Sequence, residues 1–292
     1  MTSHWPSPWP QEAAASEASG RSRTGVFDLE VLRHGGRSVI GRQHVSYPFH
    51  LTRPFSLDAA IPALLTVYQQ SSSGGLYRAD NLSSRFRLSA GAACHVTTQA
   101  ATVVHDCHGM PARQMTEATL EEGAFLALTP DPYVLFPGAS VSSTLDVRLA
   151  PDAVCLVAEA FAMHDPQAKA RPFDRFTSDT TIRDAGGRLL MRDCFRITGA
   201  ELADAASPMG RWRIVANFLL LGPASRLPGR ETLAGLGSDP GAVVGVGAMA
   251  NDTGWGVRCL AADAVAAHRV AETLFSACVH AAFGQLPAAR RK

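Results

Sequence analysis

Residues 88–104 read LSAGAACHVTTQAATVV, and this stretch indicates most directly which class of fold the chain adopts. Thr and Val are frequent from residue 94 to residue 104, and both residue types favour a β-strand. Successive side chains of a strand point to opposite faces of a sheet. The pattern therefore predicts that Thr97 and Gln99 share one face and that Thr98 lies on the other.

Turn signals recur about every ten residues on both sides of this stretch, as they do in all-β proteins. Gly35-Gly36 and residues 184–187 predict turns between short apolar runs, and Glu121-Glu122-Gly123 is a hairpin signal. Helical patterns do not alternate with the strands as βαβ units would require. The sequence predicts a mainly β fold.

The C-terminal region has the clearest helical pattern. Asp263 is a suitable N-cap and Gly284 a suitable stop. Apolar residues between them recur three or four positions apart and form one helical face: Ala267, Ala271, Leu274, Cys278 and Ala282. This face either closes the β core or offers a docking surface to a partner.

Composition excludes several classes of protein. The chain of 292 residues is 46% hydrophobic and 18% charged, which excludes a disordered protein. Its 27 Lys and Arg balance 26 Asp and Glu, whereas proteins that bind nucleic acid or anionic membranes usually carry a basic excess. We expect neither of these partners. The six cysteines form no CxxC pair, so we expect reduced, buried thiols.

The N-terminal region, residues 1–23, is rich in Pro, Ala and Ser and lacks the basic start and apolar stretch of a secretory signal. We therefore expect a cytoplasmic protein. Its predicted organisation is a disordered tail over residues 1–24 and a single β-rich domain over residues 25–292.

The run His105-Asp106-Cys107-His108 contains metal-ligating residue types. On a strand, only His105 with Cys107, or Asp106 with His108, could face one metal ion, and a closed site needs about four ligands. The other interpretation is a strand end with polar groups in solvent. The sequence has no P-loop and no G-x-S-x-G nucleophile motif, so a binding protein is favoured over an enzyme.

Three stretches resemble the UreD family of urease accessory proteins. The first is residues 73–76, SGGL, followed by Asp80-Asn81-Leu82. The second is residues 88–104, and the third is residues 123–139, GAFLALTPDPYVLFPGA. The second and third are specific as a pair, and the weaker match of residues 256–260 precedes the C-terminal helix.

The resemblance implies a fold and a function. The expected fold is mainly β, with two stacked, helically wound sheets, few helices in total and a helix at the C-terminus. The expected function is that of a non-enzymatic urease maturation chaperone. It would bind urease apoprotein and, with the F-type and G-type accessory proteins, assist nickel insertion. No tightly bound cofactor is expected, only transient Ni²⁺.

The resemblance also implies an internal ion path. The matching positions are Asp80, Thr97, Thr98 and Gln99, of which Asp80 would supply the negative charge that favours a cation. An ordinary strand for residues 97–102 and a turn-capping role for Asp80 are the alternatives.

Two departures from the family pattern favour an alternative function, a UreD-like binding module that serves another metalloenzyme or protein complex. Arg78-Ala79 precedes Asp80 where the family usually has a glycine, which would permit positive φ. The usual G-R-x-x-x-G-E segment is replaced by a stretch that contains His164 and Asp165. These two residues, with His105 and Cys107, are the candidate metal ligands.

Overall fold

The structure, a computed structural model, describes residues 22–289, without the side chain of Ser238. Most of the predicted N-terminal tail therefore lies outside the described residues, as does the basic C-terminal end, residues 290–292. The first described residues already contact the folded chain, because the Ser22 hydroxyl donates to the carbonyl of Ala79 at 2.6 Å.

Strands dominate the described chain. In chain order they are β1 Thr24–His34, β2 Arg37–Val45, β3 Phe49–Leu51, β4 Leu64–Ser71, β5 Asn81–Leu88, β6 Ala93–Thr97, β7 Thr102–Val104, β8 Ala112–Leu120, β9 Phe125–Thr129, β10 Tyr133–Leu135, β11 Ser140–Leu149, β12 Val154–Met163, β13 Arg175–Asp184, β14 Leu189–Ile197, β15 Ile214–Leu221, β16 Ala242–Ala248 and β17 Gly254–Ala261. The helices are α1 Gly199–Ala203, α2 Arg230–Ala234 and α3 Ala264–Phe283, and short 3₁₀ turns occupy Ala224–Arg226, Gly235–Ser238 and Ala250–Asp252.

The strands form two sheets. The first sheet has seven strands in the order β14-β13-β11-β8-β5-β1-β2. The second has ten, with β16-β17-β15-β12-β9-β6-β4-β3 as its main path and β7 and β10 beside it. The predicted mainly β fold with two stacked sheets and few helices is thus confirmed.

The helical winding is visible in the strand pairing. The chain passes from β5 in the first sheet to β6 in the second, returns to β8, and repeats this course through β9, β11, β12 and β13. Neighbours from successive coils are consequently parallel: β5 with β8, β8 with β11, and β11 with β13. The coils leave a layer between the sheets, and the site described below lies in it.

Local turn signals predicted chain reversals but not always hairpins. Gly35-Gly36 joins the antiparallel strands β1 and β2, and residues 185–188 join the antiparallel strands β13 and β14. The hairpin prediction at Glu121-Glu122-Gly123 is wrong, because β8 and β9 belong to different sheets. The turn there carries the chain from one sheet to the other.

The apolar core has two parts. One lies between the sheets and includes Phe27, Phe86 and Phe176, which are fully buried or nearly so. The other lies under α3, where Leu274, Phe275 and Cys278 pack against the outer face of the second sheet. The predicted helix begins after Asp263, whose carboxylate accepts from the amide of Ala266 at 2.8 Å, and ends at Gly284 in a left-handed conformation.

Of the two interpretations of the α3 face, the packing supports closure of the β core. Leu274 and Cys278 are fully buried and Ala267 is almost so. Among residues 22–289 no helix has the length and apolar character needed to cross a membrane.

Candidate functional site

A cavity of about 530 Å³ lies between the two sheets. It sits where the parallel strands β4, β6 and β9 reach their carboxyl ends, and the early residues of β8 and β11 face it from the first sheet. Hydroxyl, amide and carboxyl groups supply its polar lining: Gln69, Gln70, Ser71, Ser73, Thr97, Thr98, Gln99, Thr102, Gln114, Thr116, Asp131, Tyr133, Ser143, Thr144 and Glu159. Oxygen donors of this kind suit water and hydrated hard cations, not tight capture of a soft metal.

Three of the predicted ion-path residues border this cavity: Thr97, Thr98 and Gln99. The predicted division of their side chains between two strand faces is wrong, because β6 ends at Thr97 and the next strand begins only at Thr102. The chain bends at Gln99 and Ala100, between the two strands, so both Thr98 and Gln99 can border the same space.

Their side chains already have protein partners. The Thr97 hydroxyl donates to the carbonyl of Thr129 at 2.7 Å, and the Thr98 hydroxyl accepts from the amide of Asp131 at 2.8 Å. The Gln99 carbonyl oxygen accepts from the side-chain amide of Gln70 on β4. These bonds hold the polar groups in place at the end of the strands.

Asp80, the fourth predicted residue, does not line the cavity. Its side chain is 1% exposed, and Arg23 donates to both of its oxygens, with Nε 2.7 Å from Oδ1. The amide of Tyr77 donates to Oδ2 at 2.8 Å, so Asp80 caps the turn that precedes β5. The hydrogen bond to Asp80 raises the pKa of Arg23. The positive charge of Arg23 therefore compensates the negative charge of the Asp80 carboxylate. The role of Asp80 in an ion path stays a prediction.

The same turn shows how Ala79 can stand where the family usually has a glycine. Ala79 has a φ of 60°, the left-handed conformation that glycine adopts most easily. The turn keeps a glycine-like backbone although the residue has changed. The substitution is consequently weak support for the alternative function.

Glu159 is the functional candidate that the sequence did not reveal. It lies on β12, two strands from β6, and borders the cavity. Glu159 is half-buried, and its removal from solvent raises its pKa, while hydrogen bonds from Ser178 and Ser143 oppose the shift. Because both serines belong to the first sheet, Glu159 connects the two sheets at the inner wall of the cavity.

Tyr133 completes this wall. Its hydroxyl donates to the side-chain carbonyl of Gln114, and burial, followed by the charge of Glu159, raises the pKa of its phenol.

A sequence signal existed for the polar wall. Inward positions of β8 and β11 carry Gln114, Thr116 and Ser143 between apolar residues, and Glu159 interrupts the apolar run of β12.

The candidate metal ligands lie elsewhere. The His105 ring stacks on Tyr77 with centroids 4.3 Å apart, and its Nε2 lies 3.0 Å from the carbonyl oxygen of Gly74. The Cys107 thiol is buried, donates to the carbonyl of Ser140 at 3.3 Å, and has a pKa raised by that burial. Both residues are thus engaged in local structure.

His164 and Asp165 belong to the loop after β12. The His164 ring contacts Phe136 with centroids 5.7 Å apart. Asp165 accepts from the Arg171 side chain at 2.9 Å, and this bond holds its pKa well below the usual range. Among the described residues, no three His, Cys, Asp or Glu side chains are arranged to hold a metal ion.

Comparison with known proteins gives concordant matches. The family model described as UreD urease accessory protein matches residues 23–292. A protein named urease accessory protein UreD 1 from Bradyrhizobium sp. strain BTAi1 is 43% identical over 281 residues, which cover 96% of this chain and 99% of that protein. A protein of the same name from Methylorubrum extorquens strain PA1 is 40% identical over 291 residues, with 98% and 96% covered. Another, from Pseudomonas syringae pv. syringae, is 36% identical, with 88% and 91% covered.

Proposed function

Because the chain belongs to the UreD family of urease accessory proteins, with a role in urease maturation, we propose that it binds urease apoprotein and assists nickel insertion together with F-type and G-type accessory proteins. In this proposal nickel is cargo. It passes through the protein transiently and is not kept as a cofactor.

The observation that carries the proposal is the polar cavity between the sheets. Within residues 22–289, the side chains that border it offer hydroxyl, amide and carboxyl oxygens, and none of them is an imidazole or a thiol. Ni²⁺ binds more tightly to imidazole and thiolate sites, from which release is slow. A lining of oxygen donors lets a hydrated ion move on, which is what a donor to another protein requires.

Two carboxyl groups support passage of a cation. Asp131 borders the cavity beside Thr98, and Glu159 borders it from β12. A half-buried carboxylate attracts a divalent cation more strongly than a carboxylate in bulk solvent, and a cation beside Glu159 favours its ionised form against the effect of burial. The pair gives the cation two stopping points on one route.

The structure also bears on the alternative, a module that serves another metalloenzyme. The altered residue before Asp80 was one reason to consider it, yet Ala79 preserves the turn conformation. The altered loop that contains Asp165 is held by Arg171 and does not border the cavity. We therefore favour the urease role, carried out by binding and transfer without a covalent step.

The direct test is a deletion of the gene in its native host, with affinity-tagged protein supplied back. We expect the deletion strain to lose urease activity and to regain part of it with excess nickel. We expect the tagged protein to co-purify with urease subunits and the F-type protein. Full urease activity in the deletion strain at limiting nickel would contradict the proposal.

A further inference from the structure

The segment from the end of β1 through β2 and β3 to the loop after β3 carries only positive charge. Residues 31–57 contain no Asp or Glu, but they contain Arg33, Arg37, Arg42 and Arg53 together with His34, His44 and His50. All seven side chains belong to exposed residues. The chain as a whole has a net charge of only +1, so this basic surface is a local feature.

The four arginines are not used in ion pairs among the described residues. Glu30 lies opposite Arg42 in the β1–β2 register but forms no ion pair with it. The nearby Asp28 pairs instead with Arg85 and Arg87 on β5. The charges of Arg37 and Arg42 on β2 are therefore available to a partner.

The backbone of β2 is also available. This strand pairs with β1 on one side, and in residues 22–289 no strand pairs with its other side. Alternate peptide groups of such an edge strand point away from the sheet and can bond a further strand. Gly41 has no partner in the register between Ile40 and Arg42, and this bulge limits a continuous ladder to a short segment.

A shallow groove runs along this free edge. Arg37, Val39 and Arg42 lie on one side of it, and Pro54 and Leu65 lie on the other. Val39 and Phe55 are each 41% exposed and add apolar surface beside the groove. The groove combines apolar contacts, cationic side chains and free backbone groups.

We propose that this edge, from Arg37 to Val45, is a docking site for a short, acidic, extended segment of a protein partner, which adds to the sheet as a strand beside β2. Strand addition gives affinity through main-chain bonds and specificity through alternate side chains. The arginines select acidic residues at those side-chain positions.

The charge pattern also decides between possible occupants. A second copy of this chain would bring the same basic strand, and the like charges would repel it. Nucleic acid would use the arginines but neither the free backbone edge nor the apolar groove, and its binding normally needs a larger basic area. An acidic peptide uses all three features.

The test uses the full chain and a fluorescent peptide that alternates Glu with Val, with a second peptide that has Lys in place of Glu. The variant is R37E/R42E, and the matched control is R148E/R196E, which changes exposed arginines of β11 and β14 by the same total charge. Each variant must first show the same midpoint of thermal unfolding as the original protein. If R37E/R42E does not, R37Q/R42Q takes its place.

We expect fluorescence anisotropy to show binding of the Glu peptide only. We expect R37E/R42E to weaken this binding by roughly tenfold or more, and the control by less than about twofold. Hydrogen exchange of residues 37–45 should slow when the peptide binds. Absence of binding, equal loss in the control, or unchanged exchange at β2 would overturn the proposal. Tighter binding of a DNA duplex or of phosphatidylserine vesicles with the same dependence on Arg37 and Arg42 would also overturn it.

Discussion

Arg23 and Asp80 form a two-point ion pair that fixes the start of β1 to the turn before β5. Nε of Arg23 lies 2.7 Å from Oδ1 of Asp80, and a terminal nitrogen of the same guanidinium bonds Oδ2. The Asp80 side chain is 1% exposed, and that of Arg23 is 25% exposed. The first strand is thereby anchored at the point where the winding of the sheets begins.

Replacement of Arg23 should be costly. Arg23→Gln leaves a buried carboxylate without its cation, so we expect the free energy of unfolding to fall by about 2 to 4 kcal/mol. Urea denaturation measures the change. The control Arg87→Gln removes an exposed ion pair and should cost less than about 1 kcal/mol. Equal effects of the two substitutions would contradict the structural role of the Arg23 pair.

The turn residue Ala79 should respond favourably to glycine. Its φ of 60° is strained for alanine, so Ala79→Gly should raise the free energy of unfolding by about 0.5 to 1 kcal/mol despite the greater freedom of glycine in the unfolded chain. Ala90→Gly, in a turn without this strain, should lower stability by a similar amount. A loss of stability in Ala79→Gly would show that the left-handed conformation is wrong.

The cysteines should differ in reactivity. Cys194 is exposed, whereas the other five free thiols are buried. A buried thiol is shielded from reagents, so we expect Ellman's reagent to label one thiol per native chain and six after unfolding. Cys194→Ser should abolish the native signal. Labelling of a second thiol in the native protein would contradict the packing of the two apolar cores.

Stability should fall in alkaline solution. Burial raises the pKa of Cys94 and of Cys155 from 9.0 to about 12. The unfolded thiols ionise above pH 9 while the folded ones stay protonated, so the folded state loses stability as pH rises between these values. Each thiol contributes a slope of up to about 1.4 kcal/mol per pH unit. Urea denaturation at several pH values should show a shallower slope for Cys94→Ala, and an unchanged slope would contradict the assignment.

Local chemistry made part of the fold predictable. Asp263 and Gly284 determine the ends of α3 through hydrogen bonds with near neighbours in sequence. Gly35-Gly36 similarly determines the β1–β2 hairpin. In each case the interacting groups lie close together along the chain, so composition and spacing were sufficient.

The winding could not be deduced from local patterns. The turn at Gly123 reverses the chain, but only the pairing of β8 with β5 and β11 shows that the next strand joins the other sheet. Partners in these parallel pairs, such as Asn81 and Arg113, are far apart in sequence. The resemblance to a family supplied the winding that turn counting did not.

The resemblance to the UreD family also made part of the site predictable. Thr97, Thr98 and Gln99 belong to a recognisable motif and do border the cavity. Glu159 becomes a candidate only when Ser143 and Ser178 from the other sheet are placed against it. A single carboxyl group in an apolar strand gives a weak signal until the opposing sheet is known.

The nickel content of urease from the native host tests most directly whether nickel passes through the cavity beside Glu159. Glu159→Gln keeps the shape of the side chain and one acceptor oxygen but cannot become an anion, and Glu231→Gln changes an exposed carboxylate as the control. At limiting nickel we expect Glu159→Gln to lower both nickel content and urease activity several-fold, while co-purification with urease is unchanged and the control behaves like the original protein. Fully loaded, fully active urease in the Glu159→Gln strain would contradict the claim.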